Sequence, residues 1–168
     1  MNHNIFKPIV LFNFTRNSDL SNWKIANDIV MGGKSSSTIS INDMGHGIFR
    51  GTVSLENNGG FASVRFQHKP FATQNHTIIK IILKGDGKRY QFRIKDTSGN
   101  DWSYVNYFKT SKTWETIEIP LESLYPNFRG RRLSVPNFDK QEIASFGFLI
   151  GNKKAESFQL EIDTISLE

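Results

Sequence analysis

The chain has 168 residues and a mass of 19.2 kDa, the size of one domain (1–168), large enough to bury about two thirds of its unfolded surface without a covalent staple. The absence of cysteine excludes disulfides, thiolate metal sites and cysteine nucleophiles, and suits a reducing compartment. A net charge of +5 and an isoelectric point near 9.5 come with no helix-turn-helix, zinc-finger or RNP pattern, so nucleic acid is not an expected partner.

The N-terminal region holds one apolar run, residues 9–12, too short for a signal peptide core or a membrane span. No integral membrane segment is expected, and the location reads as cytoplasmic, or peripheral to a membrane if the protein works near one. Alternating apolar and polar residues then dominate the chain. Strands are expected at 9–14, 37–41, 47–55, 60–66, 77–83, 89–95, 103–108, 114–119, 145–150 and 158–167, with a single helical turn around 120–124 that starts on Pro120. Short strands with turn residues between them and almost no helical periodicity indicate an all-β sandwich. Residues 96–101 and 129–137 interrupt the pattern as loops inside one domain, and Arg129-Gly130-Arg131-Arg132 reads as a solvated basic loop.

Two glycine pairs stand out. Asp28-Ile29-Val30-Met31-Gly32-Gly33-Lys34-Ser35 opens the stretch, and Gly51-Thr52-Val53-Ser54-Leu55-Glu56-Asn57-Asn58-Gly59-Gly60-Phe61-Ala62-Ser63-Val64-Arg65 closes it. Each pair marks a backbone that needs positive φ or a close approach. At these residues the sequence resembles the complex I intermediate-associated protein 30 family. Later blocks follow in the same order: residues 85–93, 114–120, 128–131, 145–150 and 158–163. The resemblance implies a galactose-binding-like jelly roll and a non-catalytic role in assembling or stabilising a larger complex, respiratory complex I in the case of known members. The jelly roll also brings a carbohydrate-binding module into view as the alternative function. No leader rich in arginine and serine precedes the domain, so a mitochondrial address is not carried over from the resemblance.

The motif loops admit two roles. In the structural one, Met31 fills an irregular gap in the core, Gly32 and Gly33 turn the chain, and Ser35 satisfies backbone groups. In the functional one, the loop forms the rim of a ligand site and offers glycine amides to an anion. The structural role is favoured, because no helix follows the loop. Asn57-Asn58-Gly59-Gly60 reads as a hairpin turn, and Gly85-Asp86-Gly87-Lys88 does too, since no third glycine or helix follows to support a nucleotide site.

Strand parity supplies the binding candidates. Gln91, Arg93 and Lys95 share one face of their strand. With Arg65 and one or more of Tyr104, Asn106 and Tyr107, Gln91 and Arg93 compose a candidate polar face of the kind that binds either a protein partner or a glycan. The favoured alternative is that the arginines pair with Asp or Glu and the aromatics lie in the core, since a sandwich with 12% aromatics needs many of them inside. Catalysis is not expected: His3, His46, His68 and His76 are scattered without metal spacing, and no nucleophile elbow occurs. No cofactor is expected and no metal assigned, although Asp19, Asp28 and Asp163 are carboxylates of the kind that hold a structural calcium in sugar-binding jelly rolls.

Overall fold

Side chains alternate across β6 (Ile78–Lys84), so Ile79, Ile81 and Leu83 all point inward and lose their exposure completely, while Ile82 on the other face stays exposed. Tyr90, Phe92 and Ile94 do the same on β7 (Arg89–Lys95). The two sets meet face to face, because β6 and β7 belong to different sheets. The chain is described over residues 7–168 by a computed structural model, which carries thirteen strands in those two sheets; every pairing is antiparallel.

The first sheet runs β3 (Ser36–Ile41), β4 (Gly47–Val53), β13 (Glu156–Leu167), β6, β9 (Trp114–Pro120). β1 (Ile9–Asn13) also pairs with β13, taking over from β4 along the second half of that long strand. A register shift between Ile162 and Thr164 changes the parity of β13, which lets Phe158, Leu160 and Ile162 on one side of it and Ile165 and Leu167 on the other all face the core. The second sheet runs β11 (Arg131–Arg132), β10 (Tyr125–Phe128), β8 (Ser103–Lys109), β7, β12 (Glu142–Ile150), β5 (Ala62–Ala72), β2 (Trp23–Ile25). Phe12, Phe14, Trp23, Phe66 and Phe146 close one end of the interior with ring centroids 4.6 to 5.8 Å apart. This is the all-β sandwich that the alternation indicates, and the turn after Pro120 is a 3-10 turn at Leu121–Ser123.

Three strands had no signal in the sequence. β2 and β11 are too short to alternate, and β10 carries Pro126. The basic Arg129-Gly130-Arg131-Arg132 segment is therefore not a plain solvated loop. It is the tight turn between β10 and β11, with Arg129 and Gly130 at positive φ.

Neither expected glycine hairpin is one. The 57–60 segment leads from β4 in the first sheet to β5 in the second, and 85–88 leads from β6 to β7, again across the sandwich. Asparagine and glycine supply the turn conformations, with Asn57, Asn58 and Gly60 at φ of 55°, 59° and 140°, but they do not say which sheet the chain joins next.

A carboxylate holds the first of these crossovers. Asp28 opens a 3-10 turn, Asp28–Met31, and has no solvent exposure. It accepts hydrogen bonds from the Ser35 hydroxyl (2.5 Å) and from the amides of Ser35 (2.9 Å), Gly60 (2.7 Å) and Phe61 (3.3 Å). Burial alone would raise its pKa, but these hydrogen bonds outweigh that and hold the carboxyl below its ordinary value. The same group explains a glycine in each pair: a Cβ on Gly33 would lie 2.4 Å from the Asp28 Cγ, and one on Gly59 would lie 2.5 Å from its Oδ2.

Replacing Asp28 by alanine leaves three buried amides and a hydroxyl without their acceptor and is expected to destabilise the fold by about 3 kcal/mol, read by thermal or urea unfolding. Gly33→Ala is expected to lower stability through the same contact. The pH dependence has a definite sign. The folded pKa lies below the ordinary 3.8, so the contribution of the carboxylate is complete above that pH and disappears as pH falls through the folded value. The melting-temperature gap between wild type and Asp28→Asn should accordingly be full at neutral pH and shrink as the pH falls below the ordinary carboxylate range and through the folded value.

Candidate functional site

The register of the second sheet brings Arg65, Gly147, Arg93 and Val105 into one row across β5, β12, β7 and β8. The next row aligns Ser63, Leu149, Gln91 and Tyr107 in the same way. All of these side chains lie on the outer face, since their neighbours Val64, Phe92, Ile94, Phe146 and Phe148 are core residues. Four of the sequence-predicted residues, Arg65, Gln91, Arg93 and Tyr107, thus come together. Tyr104 and Asn106 do not. Tyr104 aligns with Ile94, is buried, and packs edge-on against Phe138; Asn106 aligns with Phe92 and donates to the Ser123 hydroxyl at 3.0 Å. Parity allows only one alternating set of β8 to face outward, and Tyr107 is in it.

Gly147 has no side chain, so Arg65 and Arg93 stand on either side of a bare strip, two strand spacings or about 10 Å apart at the backbone. An open cavity of ≈ 230 Å³ lies over this strip, lined by Ser63, Arg65, Gly147, Arg93 and Lys95 among others. Among the described residues neither arginine nor Lys95 forms a salt bridge. Burial, with Arg65 opposite, pushes the Arg93 guanidinium down to about 10, so it remains charged at neutral pH. Burial and the two arginines also lower the pKa of Lys95, and Asp101 only partly offsets them.

Two tyrosine rings lie on the cavity face under cations, while Phe61, which lines the cavity itself, has no cation over its ring among the described residues. The Arg89 guanidinium lies 4.0 Å from the Tyr107 ring centroid, and that of Arg132 lies 4.5 Å from Tyr125. The Gln91 amide nitrogen donates to the Tyr107 hydroxyl at 2.7 Å, while its oxygen is buried without a partner. Lys95, Gly147, Arg89 and Arg132 complete the surface around the predicted residues. Lys95 was legible from its parity with Arg93, whereas Gly147 and the stacked arginines depend on cross-strand register.

The motif loops border this cavity through Ala26 and Phe61, which also line it. The Ala26 amide donates to the Ser63 carbonyl at 2.9 Å, and the Asp28 amide to that of Phe61 at 3.3 Å. Their amides are not free for an external anion. Gly60 and Ser35 donate to Asp28, Gly32 to Ile29, Gly33 to the Asp28 carbonyl and Gly59 to Glu56. The expected anion nest exists in part, and the anion in it is the chain's own Asp28. Met31 does not fill the core: it is 57% exposed, with Ile29 (62%) and Leu55 (47%) also exposed, because the buried position in the turn goes to Asp28. Asn58 holds a positive φ in the crossover, with no ligand role evident from its contacts.

Asp19, Asp28 and Asp163 do not converge. Asp19 caps the Ser21 amide, Asp28 sits in its latch, and Asp163 faces His46 at 3.8 Å. Among the described residues no group of three or more His, Asp or Glu is arranged to hold a metal ion; His3 lies outside the described residues.

The sequence model of the family described as Complex I intermediate-associated protein 30 matches residues 12–162. The chain is 26% identical over 195 aligned positions to "Complex I intermediate-associated protein 30, mitochondrial" of Drosophila melanogaster, covering 98% of this chain and 65% of that protein. To the Mus musculus protein of the same name it is 24% identical, covering 94% of this chain and 55% of the other. The chain thus spans under two thirds of these relatives. Among solved structures, the family 11 carbohydrate-binding module of the cellulosomal cellulase Lic26A-Cel5E from Clostridium thermocellum superposes with a TM-score of 0.72 at 22% identity, covering 97% of this chain and 95% of the module. This likeness establishes the jelly-roll fold.

Because Arg65 and Arg93 repel each other and pair with no carboxylate, Arg93→Gln is expected to leave unfolding free energy within about 0.5 kcal/mol of wild type or to raise it, as read by chemical denaturation. A loss of several kcal/mol would show that the guanidinium is needed to hold the sheet.

Proposed function

The chain belongs to the complex I intermediate-associated protein 30 family, and on that premise we propose that it is a non-catalytic protein-interaction module that holds subunits during the assembly of a larger complex. Respiratory complex I is the client that the name of its relatives points to. The observation that carries this reading is the second sheet's outer face, where Arg65, Arg93 and Lys95 surround a cavity and form no salt bridge among the described residues. Such a face is costly for an isolated domain and useful to one that meets a complementary surface. The non-catalytic reading is supported by the hydrogen bonds of the site: the Ser63 hydroxyl donates to the Ala26 carbonyl and the Gln91 amide to the Tyr107 hydroxyl, and no serine of the cavity is hydrogen-bonded to Lys95 among the described residues.

No helix among the described residues is long and apolar enough to cross a membrane. We place the protein in the cytoplasm or at the periphery of a membrane; a mitochondrial setting follows if the client is the one named in its relatives. The second reading, a carbohydrate-binding module, is supported by the fold it shares with the family 11 module. The covered rings of Tyr107 and Tyr125 weigh against it, since sugar rings stack on open aromatic faces.

The test is affinity purification of the tagged protein from its own host, with mass spectrometry of what remains bound through a moderate salt wash. Enrichment of respiratory-complex subunits is the expected result. A partner-free preparation together with normal complex assembly in a deletion strain would sink the assembly reading, and a glycan panel read by thermal shift would then test the other.

A further inference from the structure

We propose that the cavity over Gly147 is the docking site for an acidic peptide segment of the protein partner, with Arg65 and Arg93 gripping a carboxylate between them and Lys95 supplying a further contact. This rests on the assembly reading above and specifies which surface carries it. Three cations facing one cavity, with no carboxylate in salt-bridge range among the described residues and only Asp101 acting on Lys95 from further off, form a charge pattern that an external anion completes. The absence of a side chain at Gly147 leaves a trough about 10 Å wide between the two guanidinium stems, enough for one extended chain to lay a side chain between them. Phe61 and Leu149 give the cavity an apolar border next to the cations, which suits a peptide with mixed acidic and apolar residues.

The neighbouring tyrosines favour a peptide over an acidic sugar. A pyranose ring stacks on an open aromatic platform, and the rings of Tyr107 and Tyr125 lie under Arg89 and Arg132, which leaves the ring of Phe61 at the cavity border uncovered. A carboxylate on a peptide needs no platform. Its requirements are forked donors and partial exclusion of water, and the two arginines at this cavity meet both.

The experiment is a titration of the ¹⁵N-labelled protein with tetraglutamate, alongside tetraglutamine and trigalacturonate, followed by amide chemical shifts. The expected result is saturable shifts centred on Arg65, Arg93 and Gly147 with tetraglutamate alone, weakening as salt is raised. Arg93→Gln should weaken this binding at least about ten-fold, while Lys112→Glu, on an exposed turn, should leave it unchanged. Arg65→Glu should abolish it, because the new carboxylate faces Arg93 and occupies the site from within. A melting temperature for each variant shows that the loss is not unfolding. Shifts spread over the surface lysines, an unaltered affinity in Arg93→Gln, or tighter binding of trigalacturonate would each overturn the proposal. Affinity purification with Arg65→Glu separates this inference from the broader one: partners that copurify equally with wild type and variant would overturn the docking site and leave the assembly reading standing.

Discussion

The carboxylate of Asp28 is the interaction on which the arrangement of both sheets depends. Backbone hydrogen bonds hold each sheet together, but they do not determine how the chain passes from one to the other, and hydrophobic contact between sheets is not directional. Asp28 supplies that direction. It joins the segment after β2, the segment before β3 and the segment before β5, which are separated by 7 to 33 positions in sequence, through four hydrogen bonds to one charged group. Asp86 plays a similar part at the passage from β6 to β7, accepting from the Tyr90 hydroxyl at 2.9 Å and from the Gln159 amide at 2.8 Å, and so tying the crossover to β13. In both places an acidic side chain does for a crossover what a ladder does for a strand.

This explains what the sequence revealed and what it did not. The core was legible because alternation holds along β7 and along the first half of β13, up to the register shift after Ile162, and Tyr90, Phe92 and Ile94 are as buried as their spacing implies. The chemistry of a turn was legible too, since Asn57, Asn58 and Gly60 take the positive φ that asparagine and glycine favour, although Gly59, the glycine beside asparagine, does not. What could not be read was the partner of each turn. Asn58-Gly59 carries the same local preference whether the next strand lies beside the last one or across the sandwich, and only the buried Asp28, many residues upstream, selects the crossing. Met31 misled for the same reason: an apolar residue in a glycine-rich loop normally points inward, but here a carboxylate with four donors outcompetes it for the interior. Of the candidate face, the parity of β7 and β5 was sufficient for Gln91, Arg93 and Arg65. Register was needed to separate Tyr107 from Tyr104, and register is a long-range property.

The outer face of the second sheet shows how a shared architecture is turned to a different surface chemistry. The fold is that of a carbohydrate-binding module, and the cavity lies across the strands of one sheet, yet its character is set by a few side chains on that scaffold. Arg89 and Arg132 change two tyrosines from open platforms into the lower layer of a cationic surface. Gly147 keeps the centre of that surface empty. The core beneath is built mainly from apolar side chains on the opposite face of the sheet, so the outer face is free to vary without loss of the core.

The position of β13 has a consequence for how the chain is made. This strand, residues 156–167, is the one on which β1, β4 and β6 all pair. During synthesis those three strands leave the ribosome long before their common neighbour exists, so the first sheet has no centre until nearly all of the domain has been translated. Half of the sandwich interior, including Ile79, Ile81 and Leu83, has to wait uncovered over that interval. Folding of the first sheet therefore waits for its last strand, and the nascent domain is exposed to misassociation at the stage when a premature stop would leave it unable to close at all.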